Sequence, residues 1–312
     1  MQGLVIRNTG SAYTVLLEDG EQRECHIKGN FRIRGIRTTN PVAVGDRVNV
    51  EDDWICEVMP RRNYIIRRST NLSKEAHIIA ANIDQVALLV TLAHPVTSLT
   101  FIDRFLATAE AYRVPAVLIF NKVDLLTSDQ QTQLCSLREL YERLGYPTFA
   151  ISAIQPSPLS LDLFASKTTL LSGNSGVGKS TLLNALFGRQ LTRTGLISAA
   201  HDKGMHTTTF SEMYPLPFPN YNFPALHSQC SWIIDTPGIK GFGSVRMQPT
   251  EVSHYFREIF DIGQGCRYDD CLHTNSCSRC AVIEAVEQGK IALSRYESYL
   301  SLLGDASESK YR

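Results

Sequence analysis

No apolar run in this chain reaches the roughly 18 residues that a helix needs to cross a bilayer, so neither a membrane span nor a membrane partner is expected. A secretory leader is missing as well. Met1-Gln2-Gly3-Leu4-Val5-Ile6-Arg7-Asn8 has neither the basic n-region nor the apolar h-region of one, which points to a cytoplasmic address. Excess charge is absent, with 31 basic residues against 31 acidic ones and a formal net charge of +0. Attraction to a polyanion must therefore come from a local face and not from the whole molecule. Internal repeats and low-complexity tracts are lacking too, which sets aside solenoids and long disordered arms. What is present is a globular composition, 43% hydrophobic and 20% charged, over 312 residues. That length exceeds what one hydrophobic core usually serves, and two or three domains are expected.

Charge and cysteine are unevenly spread. Lys28, Arg32, Arg34 and Arg37 occupy a stretch without acids, and Arg61, Arg62, Arg67 and Arg68 form a second cluster. Cys25, Cys56, Cys135 and Cys230 are scattered, whereas Cys266, Cys271, Cys277 and Cys280 crowd into fifteen residues. In a chain without a leader, such crowding points to metal before disulfides.

Up to about residue 68, runs such as Tyr13-Thr14-Val15-Leu16-Leu17 and Arg47-Val48-Asn49-Val50 are separated by turn signals at Glu18-Asp19-Gly20 and Val44-Gly45-Asp46. This is the pattern of a small all-β barrel. Residues 67–81 read as a linker. The rhythm then changes to buried strands, Val86-Ala87-Leu88-Leu89-Val90, Ala116-Val117-Leu118-Ile119-Phe120, Thr168-Thr169-Leu170-Leu171 and Trp232-Ile233-Ile234 among them. They alternate with helical spacing over residues 101–112 and 130–144 and with a helix after Lys179, an α/β pattern with a largely parallel sheet. Past residue 243 come the cysteines and a single helix over residues 281–303. The expected division is 1–68, 69–243 and 244–312.

Gly173-Asn174-Ser175-Gly176-Val177-Gly178-Lys179-Ser180, followed by Thr181, fits the phosphate-loop pattern and lies between an expected strand and an expected helix. Its glycines let backbone N–H groups turn inward around phosphates. The helix presents its positive end, Lys179 reaches the β and γ phosphates, and Ser180 can ligate Mg²⁺. Asn121-Lys122-Val123-Asp124, directly after a strand, chooses the base. Asp124 can accept from the N1 and N2 donors of guanine, Asn121 can bond the O6/N7 edge, and the Lys122 stem can cover the ring. Ile151-Ser152-Ala153 can close the site with a backbone N–H to the guanine oxygen. Asp235-Thr236-Pro237-Gly238 can hold Mg²⁺ through water at Asp235 while the Gly238 N–H senses the γ-phosphate. His206-Thr207-Thr208-Thr209 offers a hydroxyl to the metal; Thr208 is the expected one, and Thr207 lies beside it. Two rival classes remain: a phosphate-loop ATPase or kinase, which ATP-versus-GTP competition separates, and an RNA-binding module without hydrolysis, against which intact Lys179, Ser180 and Asp235 speak.

The order of these motifs is unusual, because Asn121 precedes Lys179 by 58 residues whereas ordinary GTPases begin with the phosphate loop. All the loops leave one edge of one sheet, so moving the termini preserves the site. With Pro41-Val42-Ala43-Val44-Gly45-Asp46-Arg47-Val48, Ala80-Ala81-Asn82-Ile83-Asp84-Gln85 and Gly204-Met205-His206-Thr207-Thr208-Thr209, the chain resembles the RsgA/YjeQ family of circularly permuted GTPases over nearly its whole length.

The resemblance implies a barrel of the OB-fold type, a central GTPase and a mainly helical zinc domain. It further implies a GTP/GDP-binding hydrolase with Mg²⁺ and one Zn²⁺ that acts as a monomer on the small ribosomal subunit and its rRNA. Such a protein couples hydrolysis to late maturation of that subunit and to its own release. The basic stretch from Lys28 to Arg37 suits an RNA groove, with Phe31 available for stacking. Cys266, Cys271 and His273 with a fourth thiolate suit structural zinc. The gap from His273 to Cys280 is one residue longer than the family's, and Cys277 competes; Cys280 is favoured because Ala281-Val282 follows it. Ile239 stands where many GTPases carry a water-orienting glutamine, and by resemblance His206 takes that catalytic role while Lys179 stabilises the transferring phosphoryl charge.

Overall fold

Strands of alternating burial build the first unit. β1 (Gln2–Asn8), β2 (Tyr13–Leu17), β3 (Gln22–Ile27), β4 (Arg47–Glu51) and β5 (Trp54–Val58) run in the order β1-β2-β3-β5-β4, and β4 returns to pair with β1. Only the β3–β5 contact within this ring is parallel. The closed five-stranded ring is the OB-type barrel, and Val5, Tyr13, Val15, Cys25, Val48 and Ile55 fill it. The computed structural model describes residues 1–10, 12–27, 41–68, 76–155, 159, 161–188, 211–216, 230–235, 247–274 and 279–308. The basic stretch from Lys28 to Arg37, with Phe31, lies outside them.

Residues 67–81 are not simply a linker. β6 (Tyr64–Arg68) and β7 (Ala76–Ala81) pair antiparallel, with Ile65 opposite Ala80 and Ile66 opposite Ile78. Buried Ile65, Ile78 and Ala80 give this hairpin a core side. The apolar alternation is too short, and too soon broken by Arg67-Arg68, to announce a strand. Buried Asp46 accepts from Arg61 Nε and Nη2 at 2.7 and 2.6 Å and so ties the barrel to the start of the hairpin. Burial pushes the Asp46 carboxyl above its ordinary range, and Arg61 works against that shift.

The second sheet has the order β10 (Thr148–Ala150), β9 (Ala116–Phe120), β8 (Gln85–Val90), β11 (Thr168–Gly173), β13 (Trp232–Asp235) and β12 (Glu212–Pro215). Its first five strands are parallel and β12 is antiparallel. Successive strand residues point to opposite faces. Val86, Leu88 and Val90 therefore pack towards α1 (Leu99–Ala111) and α2 (Ser128–Arg143), while Ala87 and Leu89 pack towards α3 (Lys179–Phe187). Thr127 and Gln130 form a capping box at the start of α2, exchanging bonds of 3.0 and 3.4 Å. Barrel and sheet are joined by one further pairing, Arg7 of β1 opposite Glu212 of β12, so eleven strands form one continuous ladder.

The C-terminal region packs on α1 with α4 (Arg257–Gly263), α5 (Ala281–Glu287) and α6 (Leu293–Glu308). The single helix expected over residues 281–303 is two. Gly289 takes φ +70, its N–H bonds Val286 O at 3.0 Å, and Lys290 N bonds Ala285 O at 2.8 Å. That pair of bonds is the Schellman stop, which outweighs the helical periodicity on either side.

A buried ion network joins α6 to α1, α2 and α4. Arg295, 1% exposed, donates to Asp103 of α1 at 2.9 Å and to Glu258 of α4 at 2.6 and 3.1 Å, and its guanidinium lies 4.7 Å from the Phe256 ring centroid. Tyr141 of α2 donates to the same Asp103 oxygen at 2.8 Å. Arg295→Ala leaves two carboxylates without their cation, one of them fully buried. It is expected to lower stability by roughly 3–5 kcal/mol, read as the midpoint shift in a denaturant melt.

Candidate functional site

The parallel strands β9, β10, β11 and β13 end at one edge of the sheet, which brings strand ends from four distant parts of the sequence together. Asn121, first after β9, is 3% exposed. Its Nδ2 donates to Val177 O of the phosphate loop at 2.8 Å, and its Oδ1 accepts from Ala153 N at 3.0 Å. One side-chain amide thus clasps three loops. The Nδ2 amino group carries two N–H donors and Val177 O takes one of them, so the second remains for the guanine O6/N7 edge expected of Asn121. Ser152 Oγ, beside Ala153, is buried without a hydrogen-bond partner among the described residues.

Lys122 takes the left-handed conformation, φ 62°, and opens the short 3₁₀ turn Val123–Leu125 that carries exposed Asp124. Its ammonium donates to His94 O at 2.5 Å. The phosphate loop follows β11, with buried Val177 seating it and exposed Ser175 and Gly176 facing outward. At Gly178, φ +98, an added Cβ would lie 2.4 Å from Asn121 Nδ2, so glycine there is what lets the clasp form. Lys179, Ser180 and Thr181 make the first turn of α3, whose free amides point to where phosphates would sit. Lys179 Nζ donates to Gly173 O at 2.5 Å and to Asn174 O at 3.1 Å. Burial pushes this ammonium below its ordinary value, and the nearby Asp235 carboxylate pulls it back up. Asp235 ends β13 and lies opposite Glu212. His206, Thr207, Thr208, Gly238 and Ile239 lie outside the described residues.

A second site lies in the C-terminal region. The donor atoms of Cys266, Cys271, His273 and Cys280 all fall within 4.8 Å of one another. Cys266 Sγ is 3.8 Å from Cys280 Sγ and 3.4 Å from His273 Nδ1, Cys271 Sγ is 3.9 Å from Cys280 Sγ, and Cys280 Sγ is 3.5 Å from His273 Nδ1. A tetrahedral zinc with ordinary bond lengths requires sulfur–sulfur edges of about 3.8 Å and sulfur–nitrogen edges of about 3.6 Å. The four residues fit one zinc. Cys280 stands at the N-cap of α5, and Cys277 lies outside the described residues. From α6, Tyr296 and Tyr299 donate to the carbonyls of His273 and Leu272 at 2.7 and 2.6 Å and hold the ligand strand in place. Burial keeps the His273 imidazole below its ordinary value, towards the neutral form a metal ligand requires.

Sequence reasoning missed the carbonyl of His94, because backbone acceptors leave no residue signature. It also missed the Asp103–Arg295 pair, whose members are 192 positions apart.

Residues 58–245 match the family described as RsgA GTPase, and residues 2–54 match the RsgA N-terminal domain. The small ribosomal subunit biogenesis GTPase RsgA of Phocaeicola vulgatus is 54% identical over 320 residues, spanning 100% of this chain and 99% of that protein. The protein of the same name from Christiangramia forsetii is 48% identical over 322 residues, spanning 100% and 98%. YjeQ from Thermotoga maritima superposes with a TM-score of 0.73 at 31% identity over 98% of both chains. YloQ, a circularly permuted GTPase, does so with a TM-score of 0.69 at 25% identity, over 100% of this chain and 96% of that one. With more than half of its residues matched by that family and its full length shared with such relatives, the chain belongs to the RsgA GTPases and has their circularly permuted fold.

Proposed function

We propose that the protein hydrolyses GTP to GDP and phosphate while bound, as a monomer, to the small ribosomal subunit, and that turnover serves late maturation of that particle and the protein's own release. The clasp made by Asn121 carries this reading: a buried amide that fastens the phosphate loop to the base-side loops makes one pocket of them. Relatives over the whole length bear the name small ribosomal subunit biogenesis GTPase, which supports the partner. The work divides among residues 1–68, which bind rRNA, residues 69–243, which bind and hydrolyse the nucleotide, and residues 244–312, which a zinc ion on Cys266, Cys271, His273 and Cys280 holds folded. No helix among the described residues is long and apolar enough to cross a membrane, in keeping with work in the cytoplasm.

In the pocket, the amides of the phosphate loop and of the first turn of α3 hold the phosphate tail, and Asp124 accepts from the guanine ring. Lys179 exchanges its two loop carbonyls for phosphate oxygens and stabilises the charge that builds on them. Ser180 and Thr208 would hold Mg²⁺, with Asp235 nearby, and the ion when bound neutralises β- and γ-phosphate oxygens. His206 orients the attacking water. Turnover by the free protein is expected to be slow, and the ribosomal partner is expected to accelerate it. GTP turnover measured with and without purified small subunits is expected to rise strongly with them, and His206→Ala is expected to lose most of the rise. A kcat unchanged by subunits would falsify the partner-stimulated mechanism.

A further inference from the structure

Residues 91–98, between β8 and α1, belong to none of the nucleotide motifs, yet they touch both halves of the pocket. The His94 carbonyl takes the Lys122 ammonium at 2.5 Å. Pro95 lies against the phosphate loop, where a Cβ built on Gly176 would come 3.4 Å from its Cδ. Three internal bonds set the loop's shape: Thr91 N to Thr97 Oγ1 at 3.1 Å, Thr91 Oγ1 to Pro95 O at 2.5 Å, and Thr97 N to Thr91 O at 2.8 Å. Gln130 of α2 adds a bond to Leu92 O at 3.4 Å. Thr91 and Thr97 are 0% and 2% exposed, whereas Val96 at the tip is 70% exposed. Hydroxyls bonded away from water hold a backbone firmly, because breaking their bonds leaves buried polar groups unsatisfied.

We propose that residues 91–98 are a positioning element for the guanine ring, in which Thr91 and Thr97 fix the His94 carbonyl and the carbonyl fixes the Lys122 side chain across the face where the base lies. The inference rests on the reading of the pocket as a guanine-nucleotide site. A lysine free in solvent loses its rotamer freedom when it covers a ring, whereas one already pinned by its ammonium has lost that freedom before the ligand arrives. The benefit is therefore in binding. Hydrolysis takes place at the far end of the nucleotide, beside Lys179 and Asp235, and is not the step this loop serves.

The test is a double-mutant cycle on the full-length protein, with a fluorescent GDP analogue for affinity and GTP turnover for kinetics. Thr97→Val, which keeps the side-chain shape and removes the acceptor, is expected to weaken GDP binding about tenfold, with the loss appearing in KM far more than in kcat. Thr97→Ser, which keeps the oxygen, is expected to restore affinity. Lys122→Ala should show a loss of its own, and the double variant Thr97→Val/Lys122→Ala should be no weaker than Lys122→Ala alone, since both changes act through one ammonium. Fully multiplicative losses, a defect confined to kcat, or unchanged affinity in Thr97→Val each overturn the proposal. If the wild-type chain fails to bind the GDP analogue at all, it is the reading of the pocket that falls instead.

Discussion

Asp124→Asn is expected to weaken GTP binding by about a thousandfold and to turn the protein into a binder of xanthosine nucleotides. A carboxylate at this position accepts from two guanine donors, N1–H and the N2 amino group. Asparagine supplies one acceptor and sets its own NH₂ against a donor, so the ring loses a bond and gains a donor–donor conflict. Pockets built to hydrogen-bond a ligand N–H discriminate by factors of about 10⁴ against partners that leave such groups unpaired, which makes a thousandfold loss a restrained figure. Xanthine carries a carbonyl where guanine carries the amino group, and the NH₂ of asparagine donates to it. Asp124 is exposed on the 3₁₀ turn Val123–Leu125, so the exchange should leave the melting temperature untouched. Nucleotide affinities for GTP and XTP, measured side by side, decide the matter. Equal GTP affinity in the two proteins would remove Asp124 from the base site.

Metal loss should have the other large effect. One zinc per chain is expected by metal analysis, and Cys280→Ala is expected to abolish it, whereas Cys277→Ala should retain it. Zinc bound by such a set contributes on the order of 10 kcal/mol to folding at neutral pH. Without it, the segment bearing Cys266, Cys271 and His273 keeps its packing beside Ile259, Val282 and Tyr299 and the two tyrosine bonds to Leu272 O and His273 O. Protease sensitivity in this region, read by mass of the fragments, should rise sharply in Cys280→Ala and on treatment with a strong chelator. Retained zinc in Cys280→Ala would move the fourth ligand elsewhere.

The sheet and the nucleotide loops were legible because their signals are local. Buried runs such as Ala116–Phe120 and the glycine spacing from Gly173 to Gly178 depend on residues near in sequence. Cys280 was legible only through the Ala281-Val282 that follows it, and geometry now places its sulfur among the other three donors. What stayed hidden depends on backbone atoms or on distant partners. The β6–β7 hairpin hides because its strands are short and charged at one end. The break at Gly289 hides because helical periodicity resumes after it. Asn121 carries a further role that its motif does not announce: its amide meets Val177 O and Ala153 N, and no pattern of types says which backbone atom a side chain will meet.

The pairing of Arg7 with Glu212, and of Glu212 with Asp235, has a mechanical corollary. A barrel attached by a flexible tether would tumble independently and send nothing onward. This one is laced into the antiparallel margin of the sheet, where Glu212 pairs with Arg7 of the barrel on one side and with Asp235 on the other. On the function proposed above, a large body that grips the barrel therefore pulls on a strand that pairs directly with the one ending in Asp235.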